Sequence, residues 1–98
     1  MKYRVEITPV ARAELVAESD YFERNKKGEG KAFAAEVRSR VKRIAFNPKL
    51  HAIVFLDVRK AVLKNYSFCL YYYIEGNRVV VISDFHTSRD PAIWQSRR

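Results

Sequence analysis

Two dense β-forming runs, Phe68 to Ile74 and Val79 to Phe85, flank Glu75-Gly76-Asn77. β-Branched and aromatic residues at this density suit a pleated surface with at least one face buried. Gly76-Asn77 suits a tight turn, where glycine supplies a positive φ at little cost. The pair therefore predicts a β-hairpin, and the chain upstream must cover it. In the first run Phe68, Leu70, Tyr72 and Ile74 fall on one face, with Tyr71 and Tyr73 on the other. The second run opens into the polar cluster His86-Thr87-Ser88-Arg89-Asp90-Pro91, followed by Trp94 and Arg97. The hairpin thus delivers a basic, hydrogen-bonding cluster to one edge of the sheet. Ser88 or Asp90 is placed to cap a last helical turn through Trp94, with Pro91 near its first position.

Upstream, Lys2 to Thr8 alternates Tyr3, Val5 and Ile7 against Lys2, Arg4 and Glu6, a strand with one buried face. Thr8-Pro9 stops it: threonine is a good N-cap, and proline lacks the N–H that would go unpaired at the first helical position. A helix is predicted from Pro9 to about Arg24. Its stripe is Ala11, Leu15 and Phe22, widened by Val10, Ala17 and Tyr21, with Glu14 and Glu18 bordering or intruding on it. Glu18 is expected to be paired with a basic side chain or turned toward a partner. Asn25 to Gly30 reads as a break. From Lys31 to Phe46, Phe33, Val37, Val41 and Ile44 form a core stripe opposite Lys31, Arg38 and Lys42. Asn47-Pro48 ends this helix.

The stretch from Pro48 to Asp57 is ambiguous: Ile53-Val54-Phe55-Leu56 is either a buried turn or the lead-in to a strand. His51 reads as structural or exposed. Val58 to Tyr66 is expected as a strand. The class that follows is α+β, ordered β-α-α-β-β-β within a single domain, residues 1–98. A two-helix hairpin packs on one face of a small, mostly antiparallel sheet, with a short C-terminal helical turn. A central first strand beside the C-terminal one is a plausible arrangement. The other sheet face is expected to be open, and that face or the groove beside the helices is where function should lie.

Nineteen Lys and Arg against eleven Asp and Glu leave a net charge of +8. That excess attracts polyanions, whether RNA, DNA or an acidic protein, without choosing among them. The one cysteine, Cys69, excludes an internal disulfide and any Cys-based zinc site, and its place in a strand makes a buried thiol the expectation. Neither a metal nor a cofactor is expected. Charged residues interrupt every apolar run and the N-terminus lacks a signal-peptide segment, so a cytoplasmic location without membrane contact is expected.

The order of these elements, with particular residues, resembles the RelE/ParE superfamily of toxins from bacterial type II toxin–antitoxin pairs. The pieces are the Thr8-Pro9 junction, Leu15 with Tyr21-Phe22, Asn47-Pro48, Asp57-Val58-Arg59-Lys60, Tyr66-Ser67-Phe68 and Tyr72. The ending is the most specific: His86, Arg89-Asp90-Pro91, Trp94 and Arg97 resemble the H-x-x-R-[DN]-P-x-x-W-x-x-R of ParE-like members called plasmid stabilisation proteins. Ser67 stands where the family usually has proline, and Glu18 where an apolar residue is expected.

The resemblance implies two activities on one fold. RelE-like toxins cut mRNA in the ribosomal A site without a metal. ParE-like toxins bind DNA gyrase and block or trap it. A nuclease needs a base, an acid and cations for the phosphorane, for which the chain offers Arg59, Lys60, Lys64, His86 and Arg89, with Tyr66 or Tyr71. Nothing titratable near neutrality follows His86, and the ending matches the ParE branch, so gyrase binding leads and ribosome-dependent mRNA cleavage is the alternative. In the ParE reading no residue is catalytic: His86 bonds backbone near the strand end, Arg89 pairs with Asp90 or a helix glutamate, and Trp94 closes the core. Either activity implies a cognate antitoxin, acidic and partly disordered when free, for which Val16 and the Lys31/Arg38/Lys42 stripe are candidate contacts.

Overall fold

In the computed structural model, which describes residues 2–98, Thr8 joins the first strand to the first helix. β1 is Arg4–Ile7 and α1 is Pro9–Asn25. The Thr8 hydroxyl oxygen accepts the Ala11 N–H at 3.2 Å, and Pro9 occupies the first helical turn. α2, Glu29–Phe46, begins two residues before the expected Lys31. Gly28, at φ 92°, makes the turn, and the Glu23 carboxylate accepts the N–H groups of Gly28 and Gly30 at 3.1 and 3.0 Å. Those amides would otherwise lack partners at a helix start. Gly30 therefore belongs to the helix, where its missing side chain lets the two helices approach: a Cβ there would lie 2.8 Å from the Ser19 carbonyl oxygen.

After a single 3₁₀ turn at Pro48–Leu50, four strands follow: β2 Ile53–Phe55, β3 Val58–Val62, β4 Phe68–Glu75 and β5 Arg78–His86. A last turn, α3, spans Ala92–Gln95. The five-stranded sheet has the order β1-β5-β4-β3-β2 and is antiparallel except for the β1/β5 pair. β1 does lie beside β5, but at the edge rather than the centre, because the remaining strands extend the sheet only from the β4 side. The ambiguous stretch resolves into the 3₁₀ turn and the three-residue edge strand β2, with Ile53, Val54 and Leu56 exposed rather than buried. The buried Tyr72 hydroxyl holds that turn by donating to the Pro48 carbonyl at 2.6 Å.

β3 stops at Val62, four residues short of the expected Tyr66. Asn65 takes a left-handed conformation, φ 69°, and turns the chain. Tyr66 then folds back to pack edge-on against Phe22 and Phe33, with ring centroids 5.2 and 5.1 Å apart. This aromatic knot closes one end of the main core. The core lies between the helices and the sheet and centres on Ala11, Phe33, Val37, Ile44, Leu70 and Tyr72.

The opposite sheet face is not open as expected. The C-terminal segment covers it, burying Trp94 against Tyr71, Val80, Ile82 and Phe85. Trp94 stacks on Tyr71 with centroids 4.0 Å apart and planes 16° from parallel, and Phe55 meets its edge. Arg98 completes the cover: its guanidinium lies 3.6 Å from the Tyr73 ring centroid and forms a two-point bond to Asp57. That pairing holds the Asp57 carboxyl below its ordinary range.

A register slip between Tyr71 and Tyr72 leaves Ile82 as an extra residue in β5. Ile82 and Phe85 pack on the Trp94 side, whereas Ser83 and the Asp84 amide hydrogen-bond to Glu14 on the α1 side. The bulge thereby turns a polar pair toward α1. No helix among the described residues is long and apolar enough to cross a membrane.

Candidate functional site

Register pairs Phe68 at the start of β4 with His86 at the end of β5. α1 passes beside this end of the sheet, leaving a groove of about 630 Å³. Ala17, Tyr21 and Phe22 of α1 form one wall, and Tyr66 and Phe68 the other. Glu14 and Glu18 also line the groove from α1, with His86 and Arg89 across from them.

The acids differ sharply in their surroundings. Glu14 Oε1 accepts three bonds: from the Ser83 hydroxyl at 3.1 Å, the Asp84 N–H at 3.1 Å and Arg97 Nη1 at 2.9 Å. One helical turn on, Glu18 Oε1 is buried, and Asp84 is wholly buried. No amide, hydroxyl, ammonium or guanidinium donor among the described residues reaches Glu18 Oε1 or either Asp84 carboxyl oxygen. The contact they do make is carboxyl to carboxyl. Two carboxylates cannot share a hydrogen bond, so one carries a proton. Burial, first, and then the neighbouring Asp84 and Glu14 push the Glu18 carboxyl far above its ordinary range, against a weaker opposing pull from Arg89. Burial also raises Asp84, although the bond from Glu18 favours its charged form.

His86, Arg89 and Tyr66 therefore meet in one groove; Arg59 and Lys64 lie outside it, and Lys60 and Tyr71 meet His86 and Arg89 in a second pocket. Arg59 donates to the carbonyls of Lys49 and His51 at 3.1 and 2.6 Å, bracing the 3₁₀ turn. It pairs with Tyr72, four residues along β4 from Phe68, about 13 Å at a strand's rise. Lys64 does not line the groove: it sits in the β3–β4 loop, its backbone N–H bonded to Glu36. Lys60 and Tyr71 border that second pocket, of about 230 Å³ beside Trp94, and His86 and Arg89 line it as well. His86 Nδ1 is engaged by the Ser88 amide at 3.1 Å and the Ser88 hydroxyl at 2.7 Å. Arg89 forms no ion pair with Asp90 or with a helix glutamate; its guanidinium lies 4.7 Å from the Phe85 ring centroid. Within the C-terminal ending it is Arg97 that pairs with a helix glutamate, Glu14. Asp90 instead caps α3 through the Ala92 N–H at 3.0 Å.

Asp84 escaped the sequence reading. Strand alternation alone does not place it opposite Glu18, because the bulge at Ile82 resets the face. Glu18 did carry a signal, as an acid intruding on an apolar stripe. His51 packs edge-on against Tyr72, and burial with nearby arginines lowers its pKa. Cys69 is a buried free thiol whose pKa burial raises. No group of three or more His, Cys, Asp or Glu among the described residues is arranged to hold a metal ion. Between the helices, Val16 and Arg38 border a second cleft of about 360 Å³.

No curated protein matches the chain in sequence. Among solved structures, a chain of the chromosomal ParDE toxin–antitoxin system from P. aeruginosa superimposes with a TM-score of 0.78 at 16% identity, covering 89% of this chain and 98% of that one. A chain of the RelBE2 toxin–antitoxin complex from Mycobacterium tuberculosis gives 0.62 at 18% identity, covering 88% and 99%. At such identities the likeness is one of fold. The sequence itself matches, over residues 5–91, the family described as ParE toxin of type II toxin–antitoxin system, parDE, and the chain belongs to that family.

Proposed function

We propose that this toxin acts by binding DNA gyrase, without chemistry of its own, and that a cognate antitoxin neutralises it. The family supports the gyrase target, since the match is to ParE toxins. The observation that carries the choice against RNA cleavage is electrostatic. The groove that gathers His86, Arg89 and Tyr66 is also lined by Glu14 and Glu18, with Asp84 behind them. Arg59 and Lys64, which would neutralise the charge on a reacting phosphate, lie outside the groove, and Arg97 is engaged by Glu14. His86 further commits one ring nitrogen to Ser88.

For the antitoxin, the cleft between the helices is the docking place we favour. Val16 is exposed beside it, and Arg38 offers a cation to an acidic segment. The neighbouring structures are of toxin–antitoxin systems, which supports a partner of this kind.

The test is a titration of purified toxin into a gyrase supercoiling reaction, scored for supercoiled and linearised DNA. Inhibition near stoichiometric toxin, relieved by antitoxin, is expected. No effect at large excess, together with cleavage of ribosome-bound mRNA that His86→Ala abolishes, would establish the nuclease instead.

A further inference from the structure

We propose that the depression at the C-terminal end of α2 is a docking site for a protein segment that carries carboxylates beside a large apolar side chain. Ile44 and Ala45 are buried in the last turn of α2, whereas Phe46, its final residue, is exposed. The 3₁₀ turn at Pro48–Leu50 follows at once and sets Leu50 against the same pocket, of about 570 Å³. Phe46 and Leu50 are 67% and 74% exposed, among the three most exposed large apolar side chains of the described residues. Covering them is favourable. The turn is held firmly: the Tyr72 hydroxyl donates to the Pro48 carbonyl, and Arg59 donates to those of Lys49 and His51. The pocket is therefore preformed, and an occupant loses little affinity to ordering it.

The rim chemistry selects the occupant. Arg40, Lys42, Arg43 and His51 surround the apolar pair, and no acid lines the pocket. Glu36 lies 3.8 Å from Arg40, but no ion pair among the described residues engages the exposed Lys42 or Arg43. Burial and then the charges of Arg40, Arg43 and Arg59 lower the His51 pKa, as a positive field over this site requires. The occupant therefore carries negative charge around an apolar group. Nucleic acid has phosphates for the rim, but Phe46 beside an aliphatic Leu50 gives it one ring, whereas strand-binding surfaces stack successive bases on several. A peptide with acids flanking a leucine or phenylalanine matches the apolar centre and the cationic rim together. The pocket shares no lining residue with the cleft between the helices, so the two sites are separable by mutation.

The probe is the capped peptide Asp-Glu-Leu-Phe-Glu-Asp, titrated into the whole chain at physiological salt and followed by NMR. Its comparators are the amide isostere Asn-Gln-Leu-Phe-Gln-Asn, the charge-only peptide Asp-Glu-Ala-Ala-Glu-Asp, oligothymidylate and a short DNA duplex. The acidic apolar peptide is expected to shift the amides from Lys42 to His51 and to bind about tenfold more tightly than either other peptide. Lys42→Gln with Arg43→Gln, and separately Leu50→Ser, change exposed side chains, so each should keep its melting temperature while weakening this peptide about tenfold. Lys26→Gln with Lys27→Gln removes the same charge before the other end of α2, and Val16→Ser alters the cleft between the helices. Neither should change binding by more than about twofold, since screening confines the effect of a distant charge. Equal binding of the three peptides, tighter binding of either DNA at this pocket, shifts centred elsewhere, no shift at all, undiminished binding to either pocket variant, or an equal loss in the Lys26/Lys27 variant would overturn the proposal.

Discussion

Arg97 Nη1 lies 2.9 Å from Glu14 Oε1, joining residues 83 positions apart. The same nitrogen donates to the Ile82 carbonyl at 3.1 Å. The last arginine of the motif-like ending is therefore a clasp between the C-terminal segment, the bulge in β5 and the first helix. Both side chains are largely shielded, so the pair is stronger than a surface ion pair. Arg97→Ala is expected to cost about 1–3 kcal/mol, because Glu14 keeps its charge without its cation. That corresponds to a fall in melting temperature of about 5–15 °C for a domain this size. Arg97→Ala melting at the wild-type temperature would show the clasp to be idle.

Trp94→Ala should be more damaging. Trp94 is buried and covers a face that would otherwise expose Tyr71, Ile82 and Phe85. Removing it costs about 3–5 kcal/mol, the range for large aromatic truncations, and Trp94→Phe should recover part of this. Urea denaturation of the two variants measures both. Trp94 is also the single tryptophan, so its fluorescence reports undocking of the last turn. If the C-terminal cover is integral to the fold, fluorescence and far-ultraviolet circular dichroism should give one coincident transition in the wild type.

Much of this fold was legible because its signals are local. Thr8-Pro9, the Phe33/Val37/Ile44 stripe and Gly76-Asn77 each specify their element through capping, periodicity or turn chemistry. What escaped depends on tertiary packing. Gly30 reads as a breaker, yet the helix needs it for a close crossing. Lys64-Asn65-Tyr66 looks extended, but Asn65 adopts a left-handed turn so that Tyr66 can join Phe22. The site was half legible: Glu18 was conspicuous on an apolar stripe, whereas Asp84 faces it only because of the bulge at Ile82.

Gly30→Ala tests that packing through the sign of its effect. In an exposed helix the change stabilises by up to about 1 kcal/mol. Here the new methyl would meet the Ser19 carbonyl at 2.8 Å and the Glu23 side chain at 3.0 Å, and backbone yields little. A loss of about 1–3 kcal/mol by chemical denaturation is expected, as for other overpacked positions. A gain would mean that the helices can move apart at no cost.

The carboxyl pair should set how stability depends on pH. The Glu18 and Asp84 carboxyls have ordinary values of 4.5 and 3.8, and both are raised in the folded protein. Above about pH 5 the unfolded chain has largely released these protons while the folded chain still holds at least one. The folded state therefore binds more protons, and stability falls as pH rises, by about 1.4 kcal/mol per unit for each excess proton. This runs against the usual carboxylate, such as Asp57, whose lowered value contributes stability that is lost on acidification. Glu18→Gln removes the titrating group but keeps a neutral side chain beside Asp84. It should leave stability nearly unchanged at pH 4.5 and raise it by about 1–3 kcal/mol at pH 8, flattening the profile between them. Urea unfolding at the two pH values measures this directly. Parallel profiles for wild type and variant would mean that Glu18 titrates in the folded protein as it does in the unfolded chain.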